Sequence, residues 1–292
     1  MTGRRWYVPW LFLAPALAVA LTFFIVPFGN TTILSFTDAS TLGGGHFTGA
    51  ANYRRLIHDE QFWLSLRNTA LYVVIVVPLM VVLPLLVAVL VQRRIAGIGF
   101  FRAVFYSPVV ASMVVAGLIW SWLLSSDGLV NSALRGLHVV TEPVPFLTDS
   151  HWLLISAMAM TVWKGLGYYM VVYLAALANV PRSLLEAAEV DGAGAVRRFF
   201  SVTVPLLRPT MILVATLASI ASAKVFAEVY TLSNGSAGPG GEARTLVYTI
   251  RETGLGLGGE AGYASAMSLA LFVATLGLSV FVTRLNSKEE QA

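Results

Sequence analysis

Three ionisable residues, Lys164, Lys224 and Glu228, stand in stretches of sequence that are otherwise almost wholly apolar. A charge at the centre of a membrane-crossing helix costs about 2.5–3.5 kcal/mol on insertion scales, so it faces a cavity or a partner instead of lipid. Lys224 and Glu228 are four apart, which places them on one face of a helix. They either neutralise each other as a structural pair or line a path for a polar solute. Other candidate constellations are weaker. His46, His58, His138 and His151 lack metal-ligand spacing, and no Ser–His–Asp arrangement can be placed around them, which argues against an enzyme. The Gly-rich stretch Asn234–Gly241 is not followed by Lys-Ser or Lys-Thr, so it does not read as a phosphate-binding loop. It reads as an irregular turn presented to an external partner. The chain has no cysteine, which excludes disulfides and thiolate metal sites.

A second segment with legible chemistry runs from Asn179 to Pro205. Ser183 with Glu186 has the capping-box spacing, and Pro181 ends what precedes it. Leu184, Leu185, Ala187 and Ala188 follow as a short helix whose small residues admit close approach of another backbone. Gly192 suits a left-handed stop at its end. The sequence then predicts a second short helix, basic at Arg197 and Arg198, aromatic at Phe199 and Phe200, and closed by Pro205. On residues alone this is a helix–turn–helix at the inner membrane surface, with its arginines toward lipid headgroups.

The elements that must position these residues follow from composition. Of 292 residues 57% are hydrophobic and 12% charged, whereas a soluble domain carries roughly a quarter charged, so much of the surface faces lipid. Six runs reach the roughly 20 apolar residues a membrane helix needs. They are Trp10–Ile33, Asn68–Val91, Phe105–Leu124, Trp152–Ala178, Thr210–Tyr230 and Ala264–Val282. Backbone groups in lipid must be satisfied within the segment, so the expected fold is all-α and polytopic. The first run is too long for a cleaved leader and is read as a retained span. Pro15, Pro27, Pro78, Pro84 and Pro108 mark kinks or helix ends. Asn52–Arg67 presents Leu56, Ile57, Phe62, Trp63 and Leu66 as one side of an amphipathic surface helix.

Charge sets the orientation. With both termini inside, the cytoplasmic segments hold Arg4, Arg5, Arg93, Arg94, Arg102, Arg182, Arg197, Arg198, Arg208, Arg284 and Lys288. The external segments hold only Arg54, Arg55, Arg67, Arg135, Arg244 and Arg251, and there acids outnumber bases. The net charge of +4 is scattered among loops, which does not point to nucleic acid.

Glu186-Ala187-Ala188, Gly192 four positions later and the ending Val202-Thr203-Val204-Pro205 resemble the loop motif of permease subunits of binding-protein-dependent ABC importers. The family has Ile and Leu where Val202 and Val204 stand here. Phe47-Thr48-Gly49, Asn52-Tyr53, Phe62-Trp63, Asn68-Thr69, Gly117–Trp120, Asp127–Asn131 and Trp163-Lys164-Gly165 with Tyr168 extend the likeness over nearly the whole chain. The chain looks more like the first of the two unlike permeases of the maltose and glycerol-3-phosphate type than like the second. The resemblance implies a type I importer permease with six helices in a single domain, 1–292. Within it 179–209 is a cytoplasmic coupling loop, and 37–67 and 231–263 are external loops. It implies that Ser183, Glu186, Ala187, Ala188, Asp191, Gly192 and Arg197 couple the chain to a cytoplasmic ATPase. It further implies that Lys164, Gly165, Tyr168, Ser222, Lys224, Val225 and Glu228 line the solute path, although the family's polar amides in span five are replaced here by Lys224 and Val225. No Walker-type segment is present, so this chain binds no cofactor of its own, and ATP and Mg belong to partner subunits. The implied partners are a second permease, two ATPase copies, an external substrate-binding (lipo)protein and the lipid bilayer. The implied place is the inner membrane of a bacterium. The implied solute is a sugar or amino sugar, with glycerol 3-phosphate or a glycerophosphodiester as the alternative. Apart from the resemblance, an ion-coupled secondary transporter is the remote alternative function.

Overall fold

The computed structural model of the chain describes residues 7–92, 95–256 and 258–287. Arg4, Arg5, Arg93, Arg94 and Lys288, counted above as cytoplasmic, lie outside the described residues. The helices are α1 (Val8–Ala20), α2 (Val26–Leu34), α3 (Ala51–His58), α4 (Glu60–Val91), α5 (Ile98–Val110), α6 (Met113–Leu123) and α7 (Leu129–Gly136). They continue as α8 (Ser150–Leu177), α9 (Arg182–Val190), α10 (Ala195–Arg198), α11 (Val204–Ala223), α12 (Ala227–Leu232), α13 (Leu246–Gly254) and α14 (Ala261–Ser287). Among the described residues four helical stretches are long and apolar enough to cross a membrane, and six if two bent pairs are each taken as one.

The chain forms two compact units, one made of the residues up to Phe62 with Thr249–Val273, the other of Trp63–Tyr248 with the residues from Ala274 on. In the first unit α1 and α2 contain no buried residue, as expected of helices solvated by lipid. The loop after α2 is tied back by Asn52, whose Nδ2 donates to the carbonyls of Ser35 and Thr37 at 2.9 and 2.8 Å. The single amphipathic helix expected over Asn52–Arg67 is instead two helices, because Asp59 turns extended and caps α4. Its carboxylate accepts the N–H groups of Gln61 and Phe62 at 2.9 and 3.2 Å. Leu56 and Phe62 are buried, whereas Ile57 and Trp63 are exposed. Arg55 pairs with Glu260 at 2.6 Å and lies 4.0 Å above the ring of Tyr263, whose hydroxyl donates to Asp59.

The second unit is built on α8. Leu153, Ala157, Met160, Met170 and Tyr173 of this helix are fully buried in a core that includes Tyr72, Val76 and Met80 of α4. Gly167 explains how α5 reaches α8. A Cβ there would lie 2.4 Å from the Phe105 carbonyl oxygen, so only glycine permits this approach. Gly117 of α6 does the same for Thr231 of α12, where a Cβ would come within 2.7 Å of the threonine Cβ.

Two expected spans are not straight. Phe105–Leu124 is replaced by α5 and α6, which meet at a bend of 102°. Ala111 and Ser112 are extended there, and the Ser112 hydroxyl accepts the N–H of Val115 at 3.3 Å. Thr210–Tyr230 is replaced by a helix that stops at Ala223, with Lys224 and Phe226 outside helical geometry. Tertiary contacts hold this second break. The Thr245 hydroxyl donates to the Val225 carbonyl at 2.7 Å, and Phe226 joins Tyr230 and Tyr248 in an aromatic cluster. The Gly-rich loop is likewise packed inward. Ala237 and Ala243 are fully buried, Tyr248 donates to the Gly235 carbonyl, and Asn68 donates to the carbonyls of Glu242 and Arg244.

Pro205 does not close α10. The helix runs on from α10 into α11 through a wider π-type turn, Phe199–Thr203, in which the N–H of Val204 donates to the carbonyl of Phe199. Proline cannot donate to the residue four before it, and its ring clashes with that residue's carbonyl in a normal α-turn. The wider turn removes the conflict. Val26-Pro27 repeats the device after Leu21–Ile25, where Val26 donates to Leu21.

Candidate functional site

The motif loop is built around α9, which turns 76° away from the line of α8. Pro181, extended at φ −62° and ψ 125°, hands the first helical position to Arg182. Ser183 is therefore the second residue of the helix, and the expected capping box does not form. The C-terminal stop does form. Gly192 has φ +76°, its N–H donates to Glu189, and the N–H of Ala193 donates to Ala188 at 2.9 Å, the paired bonds of a left-handed helix stop. Leu185 and Ala188 are half-buried, whereas Glu186, Ala187, Asp191 and Arg197 are exposed. Arg198, also half-buried, pairs with Glu189 and ties α10 to α9. The exposed side thus sets the Glu186 carboxylate beside the Ala187 methyl group, a surface that another protein can approach closely.

The second group of residues surrounds Lys164. Its Nζ donates to the carbonyls of Pro108, Val109 and Ala111 at 3.3, 3.4 and 2.5 Å. These carbonyls lie at and just past the C-terminal end of α5; that of Pro108 also accepts the N–H of Ala111 at 3.3 Å, whereas those of Val109 and Ala111 have no backbone partner among the described residues because the helix breaks there. A cation at this end also meets the negative end of the helix dipole. Glu228 faces the same region from α12. Thr161 and Lys164 both lie close to its carboxylate. Thr161 is 2.6 Å from the Tyr72 hydroxyl, which donates to the Ala157 carbonyl at 2.8 Å. Tyr72, Thr161, Lys164 and Glu228 therefore form one polar network spanning α4, α8, α12 and the α5–α6 bend.

This arrangement changes the expected pairing. The break after Ala223 takes Lys224 and Glu228 off a common helical face, and the cation beside Glu228 is Lys164. Lys224 is exposed, with no carboxylate at ion-pair distance among the described residues. Ser222 and Val225 are buried on either side of it. Gly165 is half-buried, and a Cβ there would come within 2.5 Å of the flexible end of Met80 and within ordinary contact of the Tyr169 ring. Tyr168 is exposed and stands edge-on to Tyr169 at 5.2 Å. Tyr72 and Thr161 were not foreseen. Thr161 lies three residues before Lys164, so helical spacing alone places the two on one face.

At the level of sequence, the chain is 33% identical over 276 residues to the lactose transport system permease protein LacF of Rhizobium radiobacter, covering 93% of this chain and 92% of that protein. It is 29% identical over 284 residues to the sn-glycerol-3-phosphate transport system permease protein UgpA of Agrobacterium fabrum, covering 96% and 95%. Its fold matches a chain of the bacterial alginate ABC transporter solved in complex with alginate pentasaccharide-bound periplasmic protein. The TM-score is 0.83 at 22% identity, over 97% of this chain and 94% of that one. The sequence profile of the binding-protein-dependent transport system inner membrane component family matches residues 64–288, and the chain belongs to that family.

Proposed function

We propose that the chain is one of two unlike permease subunits of an ATP-driven importer that takes up a carbohydrate or carbohydrate-like solute in a bacterial inner membrane. The observation that carries this reading is α9, which presents Glu186 and Ala187 outward and is ended by Gly192. Similarity to carbohydrate permeases supports the solute class. In this reading the whole chain is one permease domain of six spans, with α5 and α6 as one broken span. Residues 179–209 are the cytoplasmic coupling loop, and 37–67 and 231–263 are external. Ser183, Glu186, Ala187, Ala188, Asp191, Gly192 and Arg197 form the surface that seats in a partner ATPase, which holds ATP and Mg. Two such ATPases drive the two permeases, and an external binding protein delivers the solute. Lys164 and Glu228 shape the path from within its wall, while Tyr168 and Lys224 face the solute and Gly165, Ser222 and Val225 pack around them.

The test is assembly and turnover. A tagged chain expressed with its operon partners should purify with a second permease and two ATPase copies, and ATP hydrolysis should rise when solute-loaded binding protein is added. Purification of the chain as a self-sufficient, ion-driven carrier would refute the reading. Sidedness has its own test, since the chain has no cysteine of its own. A single cysteine at Ala187 should label from the cytoplasmic side and one at Asn234 from the outside; labelling from the same side would overturn the topology. One observation favours a second solute class. Exposed Lys224 would suit glycerol 3-phosphate or a glycerophosphodiester, although Lys164 is committed to backbone carbonyls and adds nothing to that affinity.

A further inference from the structure

Behind α9 the second unit carries a hollow of about 620 Å³ that the proposed transport cycle does not use. Its wall is of two kinds. Leu174 and Leu177 at the end of α8 and Leu185 of α9 are apolar, whereas Arg102, Arg182 and Gln92 are polar. A smaller hollow of about 330 Å³ adjoins it, sharing Gln92, Leu185 and Thr203. Arg102 is held rigidly, with Nε and Nη2 both donating to the Val91 carbonyl at 3.1 and 2.8 Å. That carbonyl is the last of α4, so Arg102 closes the end of one helix from the start of the next. Of the five N–H donors of a guanidinium, three have no partner among the described residues. Neither Arg102 nor Arg182 has a carboxylate at ion-pair distance among the described residues.

Two arginines with no carboxylate partner among the described residues, beside a leucine wall, select a ligand that is anionic at one end and alkyl at the other. The hollow lies where α4 and α8 end and α5 begins, the depth at which membrane helices pass into the headgroup layer. Basic pockets between such helices on the inner face are suited to anionic headgroups. We propose that this hollow binds one anionic phospholipid, its phosphate against Arg102 and Arg182 and its first chain carbons along Leu174, Leu177 and Leu185. Because Arg182 and Leu185 belong to α9, the bound lipid braces that helix from behind. Anionic lipid content then sets how firmly α9 is held. The inner-leaflet position rests on the proposed sidedness, whereas binding itself does not.

The test counts lipid. The full chain, in nanodiscs of phosphatidylcholine with graded phosphatidylglycerol, should keep one phosphatidylglycerol through native mass spectrometry, and phosphatidylcholine should not replace it. Each arginine near the surface is worth about fivefold in anionic-lipid affinity. Arg182→Gln, which disturbs no backbone carbonyl bond, should therefore weaken retention about fivefold. The double variant with Arg102→Gln should weaken it about thirtyfold. Unchanged retention in Arg182→Gln, equal retention of phosphatidylcholine, or displacement by millimolar inorganic phosphate would each overturn the proposal, the last by showing a small-anion site. Nanodiscs offer both leaflets, so an error in sidedness or in the transport reading would leave these counts unchanged and show in cysteine labelling or uptake.

Discussion

Lysine in place of Glu186 is expected to abolish uptake while leaving the chain folded and assembled. The carboxylate is exposed at the outward face of α9 and has no ion-pair partner among the described residues, so its loss costs the fold little. Its proposed partner is a cation of the ATPase, and reversing one member of a desolvated interfacial ion pair costs about 3 kcal/mol or more. That is about a hundredfold or more in coupling affinity. Three measurements separate the possibilities: uptake of labelled solute, thermal melting of the purified complex, and the amount of ATPase that co-purifies. Loss of uptake with an unchanged melting temperature of the permease pair is the expected pattern. Uptake within twofold of wild type would sink the coupling role of this residue.

Lys164→Met is expected to be the most destabilising of the membrane-embedded changes, and to differ in kind from Lys224→Met. The first removes the group that accompanies three carbonyls at the α5–α6 bend and leaves Glu228 without its neighbouring cation. Unsatisfied buried acceptors and an unpaired buried charge together cost about 3 kcal/mol. Lys164→Met should therefore lower the melting temperature and the yield of folded protein whatever the solute. Lys224→Met should leave both unchanged and lower uptake alone, most strongly if the solute carries a phosphate. A variant at position 164 that melts like wild type would show that the bend does not depend on the lysine. Normal uptake by the variant at position 224 would remove that residue from the solute path.

Features fixed by local forces show in the sequence, and those fixed by distant contacts do not. The long apolar runs were legible because a membrane helix must supply some 20 apolar residues in one stretch. The breaks inside two of those runs were legible only in part: Pro108 marks a kink just before Ala111, and Lys224 interrupts the apolar run just before Val225, but neither says where the helix stops. What holds each break comes from far along the chain, Lys164 in one case and Thr245 in the other. At α9 the left-handed stop was legible from Gly192, a backbone requirement that one residue type meets. The start was misplaced because Ser183 and Glu186 have the right spacing, yet Pro181 already fixes where the helix begins. The loop at Asn234–Gly241 was readable as irregular. Its burial was not, since it depends on side chains such as Asn68 and Tyr248 that meet it only in the folded chain. The Tyr72–Thr161 contact was hidden for the same reason.

The wider turns before Pro27 and Pro205 have a consequence for azimuth. Each holds one residue more than an α-turn needs, and one residue is about 100° of rotation around a helix axis. The turn at Phe199–Thr203 therefore works as a phase shifter between two parts of one continuous rod. On its far side α11 keeps Leu207, Val214 and Ala218 toward the core, while on its near side Arg198 points at Glu189. Without the extra residue, a rod phased to bury Leu207 would swing Arg198 through more than a quarter turn and lose α9. The motif's Val-Pro ending thus carries angular information: it lets one helix obey the packing of a membrane span and the docking of a surface helix, whose periodicities do not agree.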